Sequence, residues 1–418
     1  MLIPRENLPF DLDLIKVPAY LVGGAVRDAL LGRKREYLDL DFVLPRKAVR
    51  TARKLADLYS GGFVLLDKKR RIARVVLPEG TLDFAKQDGE TLEIDLSHRD
   101  FTINAIAYDF QSQEIFDPLG GQKDLAEGIM RMISRDNFKS DPLRMLRAYR
   151  QAGQLNFSIE AETRSAIGDL APMISTVSAE RIQTELNHLL SNPGGSNWLK
   201  DAWEDGLFSP WLPKVTEENL AKLTQVELLP ELLSQTWPDL YAQLQEKVGT
   251  VSLSRFNLAK LATLVSLDPE IAGEELLNLK YSRAEMRTVI NSVKFLPLLL
   301  SLATAPLSIR QQYVFFRDVL KAFPTLVVFT LATAAVREDF EAQRWVELLK
   351  PIVNRYLDPE DQVAHPTPLI RGKDLIEALS LHPSRRMGKV LTEIQLARIE
   401  GKISTREEAI EFAANWEK

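Results

Sequence analysis

The chain has 418 residues, 45% of them hydrophobic and 27% charged, the balance of a soluble globular protein with a large core and room for two to four structural units. It contains no cysteine, which excludes disulfides, thiolate metal sites and cysteine nucleophiles. The formal charge of −5 argues weakly against a nucleic-acid partner and moves that question to local basic surface.

The opening Met1–Glu6 lacks the basic-then-apolar layout of a signal peptide, and the apolar runs 295–305 and 325–336 are short for a bilayer span. A cytoplasmic protein with no membrane partner is expected. None of the histidines (His98, His188, His365, His382) is followed by Asp or spaced as a zinc pair. Tyr20–Val22 and Leu38–Leu44 read as strands. Between them Gly23-Gly24 precedes Arg27, and a glycine turn lets backbone N–H groups approach a phosphate, with the arginine adding a cation. On the second strand Leu38, Leu40 and Phe42 alternate with Asp39 and Asp41, so one face is apolar and the other aims two carboxylates at one spot. Paired hard oxygen ligands suit Mg²⁺ beside a nucleotide. Ala48–Tyr59 has helical periodicity, and Phe63–Leu66, Ile72–Leu77 and Thr81–Phe84 read as strands, the last two joined by a turn at Pro78-Glu-Gly80. Lys68-Lys-Arg-Arg71 with Arg74 is either a nucleic-acid contact or a solvated hairpin tip. Asp83 is the candidate third carboxylate of a two-metal site.

Arg99-Asp-Phe-Thr-Ile-Asn104 follows. In a helix Asp100 and Asn104 share a face suited to ribose hydroxyls, with Arg99 toward phosphate; alone, Asp100 reads as a helix cap. Ile115–Gly121 closes an α/β unit with a mostly antiparallel sheet and too few βαβ repeats to be doubly wound. From Asp124 onward the pattern is helical throughout. Asp141-Pro142 predicts a cap and a first-turn proline for a helix reaching about Ala152. Asp141, Arg144 and Arg147, with Arg150 beyond, line one side of it; an acceptor and a planar donor there can read a base edge, or form an ordinary surface ion-pair row. Arg131, Arg135 and Lys139 extend this second basic run. Ser178–Leu190 is a further helix, on which Arg181 and Glu185 brace the site from below, and Asn192-Pro-Gly-Gly195 marks a boundary. Near the end, Gly372-Lys373 and Gly388-Lys389 start helices suited either to RNA phosphates or to plain capping.

These blocks, in this order, resemble the class II tRNA nucleotidyltransferases and their bacterial poly(A) polymerase relatives, within the polymerase-β-like nucleotidyltransferase superfamily. The resemblance covers about the first 190 residues and, more loosely, the tail. Val22–Asp28 with Asp39 and Asp41 matches the metal motif, His98–Ala105 the ribose motif, Asp117–Gly121 with Asp124 a hinge-like motif, Ser140–Arg144 the base-reading motif, and Arg181 with Glu185 the last one. Ser140 stands where the family usually has Glu, and His98 where Arg or Lys is usual. Only Gln87–His98 lies between the strand ending at Lys86 and Arg99, where A-adding members carry a longer flexible loop.

The resemblance implies an α+β fold: a nucleotidyltransferase head with a small, mostly antiparallel sheet (1–125), then an all-α neck (126–195), body (196–330) and tRNA-binding tail (331–418). It implies a Mg²⁺-dependent enzyme. Asp39 and Asp41 hold the metal and act with Asp83 in catalysis. Gly23, Gly24, Arg27, Arg99, Asp100, Asn104, Arg147 and Arg150 bind the nucleotide, Asp141 and Arg144 read its base, and Arg181 and Glu185 give structural support. The short connection resembles the CC-adding branch, which adds two cytidines from CTP to a tRNA held by its acceptor and T arms and leaves the last step to a separate A-adding enzyme. A complete CCA-adding enzyme, an A-adding enzyme or a poly(A) polymerase, all using ATP, is the enzymatic alternative. A non-catalytic helical RNA-binding protein is the remote one.

Overall fold

Alternation of apolar and polar residues organises the N-terminal sheet. The computed structural model describes residues 8–15, 18–33, 37–249, 253–379 and 385–416; His382 falls outside them. The first elements are β1 (Tyr20–Val22), α1 (Gly24–Leu30), β2 (Leu38–Leu44), α2 (Ala48–Leu58), β3 (Gly62–Asp67), β4 (Ile72–Leu77) and β5 (Gly80–Lys86). They are followed by α3 (Leu92–Ser97), β6 (Ala107–Asp109) and β7 (Glu114–Phe116). The seven strands form one sheet in the order β3-β4-β5-β2-β1-β6-β7. Every neighbouring pair is antiparallel except β2 and β5. That parallel pair needs the crossover that α2 and the β3–β4 hairpin supply.

On one side of the sheet Leu40, Phe42, Leu82 and Phe84 are buried, with the Phe42 and Phe84 rings stacked at 5.3 Å. α2 covers this side through Ala48, Ala52, Leu55 and Ala56, spaced three or four apart. The acids of β2 and β5 are therefore left on the opposite side. β2 and β5 run so close at Gly80 that a Cβ there would lie 2.3 Å from the Leu38 carbonyl oxygen, so only glycine fits.

The neck elements are α4 (Gly121–Glu127), β8 (Ile129–Met130), α5 (Arg135–Ser140), α6 (Leu143–Leu155), β9 (Ser158–Ile159), α7 (Ala161–Leu170), α8 (Ala179–Ser191) and α9 (Gly195–Glu204). α6 packs on α8 and α9 and buries Met145, Leu146, Tyr149 and Ala152. Four sequence expectations change here. The region after Asp124 is not helical throughout, since β8 and β9 form a short parallel pair. The segment 87–98, expected only as a short loop, contains helix α3, capped by the Thr91 hydroxyl. Asp141 does not cap α6: it ends α5, and its carboxylate accepts instead from Arg181. Residues 102–104 form a single 3-10 turn, not the longer helix on which Asp100 and Asn104 were expected to share a face.

The chain divides into two compact units, Met1–Pro210 and Trp211–Lys418. The second unit is built of helices. At its centre Phe323–Ala335 is buried from Phe323 to Ala334, and helices Glu217–Leu228, Arg255–Leu264 and Arg283–Leu300 pack around it. The stretch Arg283–Ala303 is long and apolar enough to cross a membrane, because the helix begins well before the apolar run seen in the sequence. Its Val289, Val293, Leu296 and Leu299 are buried in this bundle. The last three helices enclose a small core of Leu375, Val390, Ile394, Ala397, Ala409 and Ala413.

Candidate active site

The register of β2 and β5 assembles the carboxylates. Asp41 pairs with Asp83 and Asp39 with Thr81, so three acids share the side of the sheet away from α2. Asp39 is exposed and accepts from the Thr81 hydroxyl at 2.8 Å. Asp83 is opposite Arg74 on β4, which grips both its oxygens at 2.7 and 2.8 Å. Asp41 lies between them. Burial pushes its carboxyl up to about 6, and the charges of Asp83 and Asp39 add to that, while Arg99 pulls the other way.

This donor set fits a hard divalent cation. Two carboxylates crowd one half-buried position, and positive charge there would relieve both the burial cost and the mutual repulsion. Among the described residues no three acids or imidazoles are already closed around a single metal position. The geometry gives the reason: Asp83 is turned onto Arg74 and leaves Asp39 and Asp41 as the available pair.

Gly23 and Arg99 border these acids. Gly23 has φ +72°, and a Cβ there would lie 3.1 Å from Arg99 Nη1 and 3.6 Å from Asp41 Oδ2. The Arg99 guanidinium thus rests against the glycine turn. Its Nη2 lies 3.6 Å from Asp95, and its buried Nε has no hydrogen-bond partner. A donor left unpaired beside a backbone turn suits a phosphate oxygen. Gly24 opens α1 next to it.

Arg27 is placed differently from what its proximity to the glycines suggests. It is buried, with Nε donating to Asp28 at 2.8 Å and Nη1 donating to Asn104 at 2.9 Å and to Gln151 at 3.0 Å. Asn104 is equally occupied, its amide donating to Asp100 and to Gln151, both at 2.9 Å. These two residues hold α1, the 102–104 turn and α6 together and do not face the acids' side as free groups. Asp100 is buried and accepts from the Phe101 N–H at 2.9 Å, from Asn104, and from Nε and Nη2 of Arg147 at 2.9 Å each. These bonds and the Arg147 and Arg144 charges outweigh its burial and hold its carboxyl below the usual range.

At the start of α6, Arg144 donates to the His98 carbonyl at 2.8 Å and to the Arg99 carbonyl at 3.2 Å. Asp141 accepts from Arg181 at 2.8 Å through Oδ2, while its buried Oδ1 has no partner. Arg150 pairs with Glu185 and reaches Gln154. Arg181 and Glu185 on α8 thus each take one charged group, Asp141 just ahead of α6 and Arg150 on it. The structure brings Asp39, Asp41, Asp83, Gly23 and Arg99 to one place and Asp141 and Arg144 to the entrance of α6. It leaves Arg27, Asn104 and Arg150 in internal contacts.

Several contributors were not visible as such in the sequence. Gln151 joins Arg27 to Asn104, and Asn137 donates to the Ser97 and Arg99 carbonyls at 2.8 and 2.7 Å. Arg74, read only as part of a basic run, holds Asp83. A cross-strand arginine opposite an acid is a usable signal once the hairpin register is set by its turn.

Three family models match the chain: a poly A polymerase head domain over residues 19–131, a probable RNA- and SrmB-binding site of polymerase A over 156–219, and a putative tRNA nucleotidyltransferase domain 2 over 254–414. A CC-adding tRNA nucleotidyltransferase of Synechocystis sp. is 45% identical, the match covering 98% of this chain and 96% of that one. An A-adding tRNA nucleotidyltransferase of Deinococcus radiodurans is 32% identical over 95% of both chains. Among solved structures, a CCA-adding enzyme in complex with CTP has the same fold, with a TM-score of 0.73, 23% identity and coverage of 97% of this chain and 93% of that one.

Proposed function

The chain belongs to the tRNA nucleotidyltransferase and poly(A) polymerase family and is a nucleotidyltransferase, and from that premise we propose that it adds two cytidines from CTP to the 3′ end of tRNA. The observation that carries the CC assignment is the connection Gln87–His98. Its Asp88 N–H donates to Asp95 at 2.8 Å, and its Asp88 carboxylate meets the His98 ring at 2.9 Å. With α3 filling the rest, this segment is a laced turn and helix with no length left for a long mobile loop. The 45% identity to a CC-adding relative supports the same assignment.

Asp39 and Asp41 would hold Mg²⁺, which when bound supplies positive charge at the α-phosphate and acidifies the primer hydroxyl. Arg74 holds both oxygens of Asp83 and fixes it beside Asp41, so that Asp83 shapes the field at the pair. The Gly23–Gly24 backbone and the unpaired Arg99 Nε take triphosphate oxygens. Asp100 has its four acceptor sites taken by protein donors, and it selects ribose through a hydroxyl that replaces one of them. Asp141 and Arg144 present an acceptor and donors to the base edge, with Arg181 orienting the one and the His98 carbonyl the other. Arg147, Arg150 and Glu185 hold α6 in place, and Arg27 and Asn104 position the head against it. We read 1–125 as the head, 126–195 as the neck, 196–330 as the body and 331–418 as the tail, the helical part grasping the acceptor and T arms by shape and charge. The work is cytoplasmic, and a separate A-adding enzyme completes the end.

A complete CCA-adding, A-adding or poly(A)-forming activity is the second proposal, favoured by the A-adding relative. Three tRNA transcripts, ending at the discriminator, after the first C and after the second, separate the two. With CTP, ATP or both, two C additions followed by arrest support the first. Efficient addition of A to the third transcript overturns it.

A further inference from the structure

Apart from Arg74, which holds Asp83, and Arg144, which donates to carbonyls, the two basic runs of the sequence are treated oppositely by the fold. In the neck run Arg131 pairs with Asp124 and Glu160, Arg135 with Asp169, and Lys139 with Asp136. Arg147 and Arg150 pair with Asp100 and Glu185. Those cations are neutralised internally. Lys68–Arg71, at the β3–β4 tip, are all exposed, and none has an ion-pair partner among the described residues. Asp67 closes that turn by accepting the N–H groups of Lys69 at 2.8 Å and Arg70 at 2.9 Å, and the four side chains stay in solvent.

The strand register places this tip beside a second unpaired set. Leu44 pairs with Lys86, Ala85 with Ile72, and Ile72 with Asp67. The ends of β2 and β5 and the β3–β4 tip therefore share one edge of the sheet, about 14 Å wide at about 4.8 Å per strand. The chain leaves β2 at this edge through Arg46 and Lys47 and enters α2, whose exposed side carries Arg50 and Lys54 on successive turns. None of these four has an ion-pair partner among the described residues. A groove of about 410 Å³ lies between Arg50, Arg53, Lys54, Asp57 and Leu58, with Arg53 over the Phe63 ring at 4.0 Å. The tip also comes within electrostatic reach of Arg144, whose charge is disfavoured by burial and further by Arg70. In a chain of net charge −5, so many uncompensated cations along one edge match a polyanion.

We propose that this edge of the head, formed by Arg46, Lys47, Arg50 and Lys54 with the Lys68–Arg71 tip, is a track for the sugar-phosphate backbone of the RNA substrate. The proposal rests on the assignment of a tRNA substrate above. A row of separate point charges without matched acceptors contacts phosphates and reads no sequence. The row covers the whole edge and two turns of α2, more than one triphosphate can engage. Asp41 lies three residues from Leu44, about 10 Å along β2, so the track starts a short distance from the carboxylates.

The test uses full-length R50E/K54E and K68E/K69E, with the neutral R50Q/K54Q as a milder companion should a charge-reversed chain fold poorly. tRNA affinity is measured by filter binding across a salt series, and CTP addition is followed in parallel. Each reversed pair is expected to weaken tRNA binding about tenfold near 0.1 M salt and to reduce the log Kd–log salt slope by about 1.5 to 2, with the neutral pair showing a smaller loss in the same direction. kcat at saturating tRNA and KM for CTP stay at the wild-type values. Unchanged affinity and slope in all three variants overturn the proposal. So does a rise in KM for CTP with tRNA binding intact, which would assign these cations to the nucleotide. Failure of the wild-type protein to extend any tRNA is a different result and would sink the functional assignment itself.

Discussion

Gln151 is expected to be the fastening point between the neck helix and the head. It is 3% exposed, and its Oε1 accepts from Arg27 Nη1 at 3.0 Å and from Asn104 Nδ2 at 2.9 Å. Gln151→Leu keeps the volume and removes the acceptor for both donors. Arg27 still has Asp28 and Asn104, and Asn104 still has Asp100, so one contact of each is lost and the rest of each set survives. At about 1–3 kcal/mol for a buried donor left without its acceptor, and sharing remaining partners, the two together cost about 2–4 kcal/mol. Hydrogen exchange followed by mass spectrometry reads this locally. Amides of α1 and α6 are expected to exchange about 30- to 1000-fold faster, with helix Phe323–Ala335 as the internal reference. Acceleration below about threefold would show that the network's bonds are replaceable and that α6 is held by its apolar face alone.

Replacing both Asp39 and Asp41 by Ala removes the cation-holding pair; addition is expected to fall about 10³-fold or more while tRNA affinity changes less than about twofold, and surviving activity would refute the metal assignment. Gly23→Ala forces a side chain into φ +72° and toward Arg99 Nη1, so kcat/KM is expected to drop at least tenfold with about 1–2 kcal/mol of stability, measured by initial rates and thermal melts. Asp41 titrates at about 6 in the folded protein, above its ordinary 3.8. Its ionisation therefore opposes folding: the metal-free protein loses stability between about pH 4 and pH 6, and Asp41→Asn lacks that slope. At limiting Mg²⁺, kcat/KM is expected to rise with pH through about 6, and saturating Mg²⁺ shifts that limb to lower pH; a limb fixed at both concentrations would exclude Asp41 as its source.

What was legible in the sequence is what lies on a single element. The period-two pattern of 38–44 told which way Asp39 and Asp41 point, because alternation belongs to the strand itself. Five of the strands and the helical character of most of the remainder followed from the same kind of local pattern. What was not legible is where separate elements converge. Arg27 stands beside two glycines in the chain, so proximity suggested a phosphate contact; the fold keeps its Nη2 near the Gly24 turn and also turns its Nη1 toward Asn104 and Gln151, 77 and 124 residues away. Gln151 directly follows Arg150 on α6 and has no periodic signal of its own, since the three-residue spacing of Asp141, Arg144, Arg147 and Arg150 draws attention to a neighbouring face. Asp83 reads in the sequence as a candidate third carboxylate, and nothing there shows that the β4–β5 register puts Arg74 opposite it. The two basic runs make the point for charge. They are alike as strings of Lys and Arg, and the positions of Asp100, Asp124, Glu160, Asp169 and Glu185, supplied by other elements, decide that most of the neck run is paired with acids while Lys68–Arg71 are not. Composition counts charges; whether a cation is available to a ligand depends on which acids the fold brings within reach.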